Sequence, residues 1–361
     1  MPEFMLEHHR SQQSLPIING QGRPASFVVL HDAVANMSSQ QIWPCLPRAK
    51  HHSENCIQAS CDGFLVIHRR SQFYICNSLI RKYALLPKPQ AGKAENNVIG
   101  FYRNHQIGEY RVLWVSYSWA HIFSLHVLTV GSNEPRHTEV RIPTTPLHNV
   151  KHMLLYGLWC LPYCPPPVDH HGSLHWCPYS TKEITGDSRD IIVFDTEVES
   201  FRWMHGPARP YSNRRLFKLK EMLSFWGSSS PPFTVMDVWV MPDYDAETWD
   251  FKYRIDVSTV EKSRRVYLTS YKKKKKTPLH SAVQWFNDMV VLNERELLIR
   301  FNSQHVMRCD IDGNFLGMVN IGKSQFCMLL TQHRLKENIK PIIFHEMQEE
   351  DKESPFSAGL V

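Results

Sequence analysis

Six side chains within the stretch 160–177 carry the ligand chemistry of zinc: Cys160, Cys164, His170, His171, His175 and Cys177. Thiolate sulfur and imidazole nitrogen, taken four at a time, make the closed tetrahedral shell of a structural zinc site. Cys160-x3-Cys164 would supply two ligands, and a histidine with Cys177 the rest. The local pattern argues against that assembly. Leu174 and Trp176 alternate with His175 and Cys177 as on a strand, which puts the latter two on one face. His170 and His171 fall in the turn before that strand, and Cys160 and Cys164 sit in a Pro-rich loop. The expectation is packing, with no metal and no cofactor. Asp243, Asp245 and Glu247 present oxygen ligands in the run Asp-Tyr-Asp-Ala-Glu, but the glycine and terminal glutamate of a calcium loop are missing, so a hairpin turn is expected. Asp310-Ile311-Asp312-Gly313, between apolar runs, is also a hairpin signal. No GxSxG, P-loop, GxGxxG or HExxH occurs, and no nucleophile has a context that would activate it, so catalysis is not expected.

The elements that hold these residues are strands. From 167 to 207 the chain reads as three in a row: an alternating run around Leu174 and Trp176, the apolar run Ile191 to Phe194, and a third in which Phe201 and Trp203 alternate with Arg202 and Met204. Asp195-Thr196-Glu197 supplies turn chemistry between the last two. Copies of this unit recur at 63–89, 111–143, 235–257 and 296–322. With Tyr74, His126, Ile192, Val238 and Met307 as second-strand markers, the steps are 52, 66, 46 and 69 residues. A β repeat of roughly 50 residues is the signature of propeller blades, and the uneven steps require long loops. Residues 216–225 read as a short helix or an edge strand. A strand at Pro341 to His345, paired with the Phe27 strand, would close the ring and remove its open edges.

Composition limits the partners. Hydrophobic residues make up 42% of the 361-residue chain, enough for a sizeable core. The net charge is +6, but Lys272 to Lys276 supply five of those charges; the remaining +1 argues against a nucleic-acid-binding face. The lysine run reads as a solvated loop between a Tyr267 strand and an Ala282 strand, with nuclear import as its functional alternative. Nine cysteines in no paired spacing point to reduced thiols. The first ten residues lack the apolar core of a secretory signal, and the longest apolar stretch, 153–161, is far below the ~18 residues that span a bilayer. A cytoplasmic or nuclear location, with no membrane partner, is expected.

Six pieces, in order, carry a resemblance: CDGFLVI, FYICNSLIRKYALLP, DHHGSLHWCPY, IIVFDTEVESFRWM, MDVWVMPDYDAETWDFKYRIDV and CDIDGNFLGMV. Together they resemble the F-box-associated domain of plant F-box proteins over about residues 56–345. The second element departs from the family's pattern: Cys76-Asn77-Ser78-Leu79-Ile80-Arg81 lacks its Pro and Thr. The opening PEFMLEHHRSQQSLPII is similar to the segment that follows the F-box in grass members. The F-box itself, the helical module that docks a Skp-type adaptor, is not found in the chain.

The resemblance implies an all-β, kelch-like propeller of about five or six blades, in a ring that can be incompletely closed. The organisation read from the chain is a polar lead-in over 1–25, the propeller over 26–346 and an acidic tail over 347–361. The implied role is a protein-interaction module that reads the substrate of an SCF-type ubiquitin ligase, uncoupled here for want of the F-box. A Skp-type adaptor would be a partner only with an F-box restored, and the protein substrate is unknown. The alternatives are a zinc-binding propeller enzyme and a decoy product. Function in a propeller lives in loops at one end of a rigid ring. Arg209, Tyr211, Arg214, Arg215 and Trp226 are the candidate partner-binding residues, as cationic and aromatic anchors on such loops.

Overall fold

The computed structural model describes residues 15–21, 26–30, 40–43, 56–69, 71–77, 82–89, 95–117, 123–132, 136–137, 158, 166–177, 190–229, 232–271, 282–293, 295–303, 305–319 and 327–335. Short apolar runs broken by turn residues form strands here almost throughout. β1 (Leu15–Gln21), β2 (Ser26–Leu30) and β3 (Gln40–Trp43) come first. Five complete antiparallel blades then follow in sequence order. They comprise β4 (Cys56–Cys61), β5 (Phe64–Arg69), β6 (Gln72–Asn77) and β7 (Lys82–Leu86); then β8 (Glu95–Arg103), β9 (Tyr110–Tyr117), β10 (Phe123–Thr129) and β11 (Arg136–His137); then β12 (Val168–His170), β13 (Ser173–Trp176), β14 (Asp190–Asp195) and β15 (Ser200–His205). The next blade is β16 (Asn213–Leu219), β17 (Met222–Ser228), β18 (Val235–Asp243) and β19 (Thr248–Asp256), and the last is β20 (Phe286–Val291), β21 (Glu296–Phe301), β22 (His305–Asp310) and β23 (Phe315–Met318).

The sixth sheet is built from both ends of the sequence. β24 (Cys327–Leu335) pairs antiparallel with β1, from Leu15↔Leu335 to Gln21↔Cys327, giving the order β24-β1-β2-β3. The first strand of each sheet faces the first strand of a neighbour: β24 lies against β4 and β20, β4 against β8, and β16 against β12 and β20. The architecture is therefore the expected all-β propeller, with six sheets among the described residues, the ring closed by the β1–β24 pairing. Closure uses different strands from those anticipated. The Phe27 strand is β2, between β1 and β3, and the segment 341–345 lies outside the described residues. The lead-in expected over 1–25 supplies β1.

The five repeat markers do fall in phase. Tyr74, His126, Ile192, Val238 and Met307 lie on β6, β10, β14, β18 and β22, the third strand of five successive blades rather than the second. The uneven spacing reflects the connections. One of them holds helix α1 (Val257–Tyr271), which contains Tyr267, so the expected Tyr267 strand is a helix. Asp256 caps α1 by accepting the Ser258 N–H at 2.7 Å. The helix bridges outer strands, following β19 and receiving the Phe315 N–H of β23 on Ser263 Oγ at 2.9 Å. Residues 216–225, read as helix or edge strand, form the β16–β17 hairpin, with Lys220 at φ +56° in its turn.

The core lies between blades. Val66, Phe73, Val98 and Trp114 fill one interface; Leu113, Leu174, Trp176 and Phe194 the next; Ile191, Met204, Leu223 and Phe225 a third; and Trp226, Val238, Phe286 and Leu297 a fourth. Each such fully buried side chain contributes about 1.5–3 kcal/mol. Polar bonds cross the same seams. Trp176 Nε1 donates to the Ile99 carbonyl (3.1 Å), Asn213 Nδ2 to the Asn287 carbonyl (3.3 Å), and His333 Nε2 to the Ile57 carbonyl (3.1 Å). The last of these ties β24 to β4 beside the closure.

Two hairpins lock a blade onto the one before it by the same device. In Asp195-Thr-Glu-Val-Glu199 and Asp243-Tyr-Asp-Ala-Glu247 the last four residues link the paired strand ends Asp195↔Ser200 and Asp243↔Thr248. The leading aspartate accepts turn amides: Asp195 Oδ1 from Glu197 and Val198, and Asp243 Oδ1 from Ala246. The final glutamates sit at φ +52° and +51°, a left-handed conformation that costs a residue with a side chain about 1–2 kcal/mol. Their ion pairs offset that cost. Glu199 binds Arg111 (2.7 Å) and Arg136 (2.5 Å), and Glu247 binds Arg202 (2.5 Å), in each case on the preceding blade.

Candidate partner-binding surface

Residues 206–212 connect β15 to β16 and carry Arg209 and Tyr211. The sequence Gly206-Pro207-Ala208-Arg209-Pro210 keeps this stretch out of regular structure. Tyr211 folds inward and is buried against Phe225 and Gly227. Gly227 is needed for that fit: a Cβ there would lie 2.4 Å from Tyr211 Cγ. The Tyr211 hydroxyl donates to Asp237 Oδ2 (3.0 Å) and accepts from Trp239 Nε1 (2.8 Å). Burial, with the Asp237 charge beside it, pushes its pKa up to about 12, so it remains a donor at any physiological pH.

Asp237 is the hub. It is buried on β18, where an isolated carboxylate would be costly. Arg254 on β19 meets it through Nε–Oδ1 (2.6 Å) and Nη2–Oδ2 (2.9 Å), the two-pronged geometry in which guanidinium binds carboxylate best. Arg209 Nη1 approaches Oδ2 at 3.5 Å. Trp239 packs edge-on to Phe251 of β19, with centroids 5.4 Å apart, and the Phe251 side chain is half exposed. An aromatic ring and two guanidiniums thus reach solvent from one hydrogen-bonded unit.

The structure therefore brings Arg209 and Tyr211 together and separates the other three candidates from the loops. Arg214 and Arg215 lie on β16, the first strand of its blade, with Arg214 buried. Trp226 is fully buried on β17 in the seam with the last blade. It is core, not an anchor, because its neighbours Arg215 and Gly227 continue a paired strand. The residues that sequence reading missed are Asp237, Trp239, Phe251 and Arg254. Their one local signal was the aromatic run Trp249, Phe251, Tyr253, but a bulge at Val238/Trp239 sends Tyr253 to the seam with the last blade and leaves Phe251 against Trp239.

The histidines of the zinc reading form a different structure. His170, His171 and His175 surround the Tyr244 ring, at centroid distances of 5.2, 4.6 and 5.5 Å. His175 Nδ1 donates to the Val168 carbonyl (3.1 Å), which leaves Nε2 to accept from the Tyr244 hydroxyl (2.8 Å). That hydroxyl in turn receives Arg202 Nη2 at 3.2 Å. Burial lowers the His175 pKa to about 3, and burial with the His171 charge lowers His170 to about 4, so both are neutral. Cys177 packs in the apolar seam with Ile191 and Phe225. Cys160 and Cys164 lie outside the described residues, and among the described residues no group of three or more His, Cys, Asp or Glu could hold a metal ion. Asp243 and Glu247 are engaged in their hairpin, as expected, and the Asp310–Gly313 turn forms with Gly313 at φ +83°. The lysine run at 272–276 lies outside the described residues. No helix among them is long and apolar enough to cross a membrane.

The family match agrees with this architecture. Residues 27–277 match the family described as F-box associated beta propeller domain. The search of curated proteins found no match. Among solved structures, "YCF48 bound to D1 peptide" aligns over 84% of this chain and 81% of its own, at 8% identity and a TM-score of 0.38.

Proposed function

The chain belongs to the F-box-associated β-propeller family, and from that premise we propose that it reads a protein substrate for an SCF-type ubiquitin ligase, in the cytoplasm or nucleus. Propellers of this family serve F-box proteins as interaction modules. The observation that carries the reading to particular residues is the exposed ring of Phe251 beside the exposed guanidiniums of Arg209 and Arg254. Aromatic and arginine side chains held rigidly at a surface are the residues that dominate protein interfaces. Tyr211 and Asp237 hold them from below, so little ordering entropy remains to be lost on binding. Catalysis plays no part in the proposal: binding is the whole activity of this chain, and an F-box joined to it would deliver the bound protein to a Skp-type adaptor.

The test joins an F-box to the N-terminus and reconstitutes a ligase with a Skp-type adaptor. A protein retained by the chain should be ubiquitylated only when both parts are present. A retained protein that is never ubiquitylated would place the module outside a ligase. A chain that retains no protein would defeat the reading entirely.

A further inference from the structure

The partner's chemistry can be read from the same surface, on the premise that the chain is a protein-interaction module. Asp237 is one carboxylate facing two guanidiniums, so the group carries a net charge of +1. The Arg209 and Arg254 side chains are 60% and 49% exposed, whereas the Asp237 side chain is 5% exposed. The positive charge therefore faces solvent and the negative charge does not. Exposed Asp250 and Lys252 flank Phe251 on the same strand and balance in sign, and Asp256 is engaged at the start of α1 by the Ser258 N–H and hydroxyl.

An apolar plate lies beside this charge. Phe251 is 50% exposed and rests on Trp239, whose indole N–H is bonded to the Tyr211 hydroxyl that also holds Asp237. The ring and the Arg254 guanidinium are thus held by one network, and Arg209 reaches its edge at 3.5 Å. β19 runs nine residues as the outer strand of its blade, against six, five, four and two for β15, β7, β23 and β11. Among the described residues it pairs only with β18. Its length offers an extended chain a track across both features.

We propose that this unit binds an extended segment of a partner protein in which Asp or Glu lies next to a large apolar residue. The carboxylate bridges Arg209 and Arg254, and the apolar side chain covers Phe251. Charge complementarity selects the carboxylate, since a guanidinium presents donors in the fork that carboxylate oxygens match. An exposed ion pair alone is weak. The apolar residue excludes water beside it and strengthens the pair.

The test uses the purified full chain against a display library of random twelve-residue peptides. Enriched clones should carry Asp or Glu within two positions of Phe, Leu, Ile, Met or Trp. The strongest clone, made as a fluorescent peptide, should bind about tenfold more weakly to Arg209→Ala and to Phe251→Ser. Neutralising its carboxylate to the amide should cost the wild-type chain a similar factor and the Arg209→Ala chain little. Both side chains are half or more exposed, and melting curves within about 2 °C of wild type would place the losses at the surface. Enriched clones without a carboxylate would overturn the partner class. Clones that bind both variants as tightly as wild type would overturn the site while leaving the interaction-module reading intact. Enrichment of no clone would overturn the proposal of an extended segment; the module reading stands or falls separately on intact retained proteins.

Discussion

Tyr211→Phe removes one oxygen and should loosen the whole candidate surface. The hydroxyl donates to Asp237 at 3.0 Å and accepts the Trp239 indole N–H at 2.8 Å. A hydrogen bond to an ionised group contributes about 1.5–3 kcal/mol. Asp237 keeps its two bonds from Arg254, which places this loss at the low end. The Trp239 side chain is only partly buried, so water can replace its lost acceptor at a cost of about 0.5 kcal/mol. The sum is about 2 kcal/mol, or a melting temperature lower by about 3 °C in a chain of 361 residues. Urea unfolding followed by tryptophan fluorescence measures it. Trp239→Phe breaks one of the same bonds, so the double variant should be less damaging than the two singles added, by about 0.5 kcal/mol or more. A Tyr211→Phe chain within 0.5 kcal/mol of wild type, or strict additivity with Trp239→Phe, would refute the hub.

Other consequences follow from the same contacts. Trp226→Ala should cost about 3–5 kcal/mol as a core deletion, while Phe251→Ser, which loses only the edge-on contact with Trp239, should cost about 1 kcal/mol; denaturant midpoints separate the two. Glu199→Gln leaves Arg111 and Arg136 facing a neutral group in a site where the glutamate is 11% exposed, and should cost about 2 kcal/mol, less at high salt. His175 and His333 are held by burial at pKa values of about 3 and about 4, below the ordinary 6.5. A depressed pKa means that the unfolded chain takes up protons first, so this stability is complete above pH 6.5 and is lost as pH falls through that value toward 4. Between pH 7.5 and 5.0 each of these two should remove about 2 kcal/mol, and His333→Gln should flatten the slope without abolishing it, because His170 and His175 stay depressed.

Legibility in the sequence followed burial on two sides. Strands buried on both faces, such as Ile191 to Phe194, announce themselves by composition alone. The sixth blade was hidden because its four strands come from residues 15–43 and 327–335, so no local window contains it. Its closing strand, CMLLTQHRL, does open on an apolar run, but Thr, Gln, His and Arg fill its second half and its partner β1 lies more than 300 residues away in sequence. α1 was masked by β-branched residues at 257, 259, 260 and 266, although Ser258-x-x-Glu261 is a helix-start pattern. The candidate surface was half legible. Gly, Pro and Arg marked the Arg209 loop, but its partners Asp237 and Arg254 are 28 and 45 residues away. Only the β18–β19 register brings them together, as the cross-strand pair Asp237↔Arg254.

The most direct test of the account is the affinity of the purified chain for an intact protein that it retains, compared with that of Arg209→Glu and Val198→Glu. Val198 is as exposed as Arg209 but sits in the turn of a different blade. The account predicts that Arg209→Glu weakens binding by tenfold or more, as about 1.4 kcal/mol or greater, while Val198→Glu binds as wild type does. Equal affinity of wild type and Arg209→Glu, or a loss confined to Val198→Glu, would contradict the placement of the partner-binding surface.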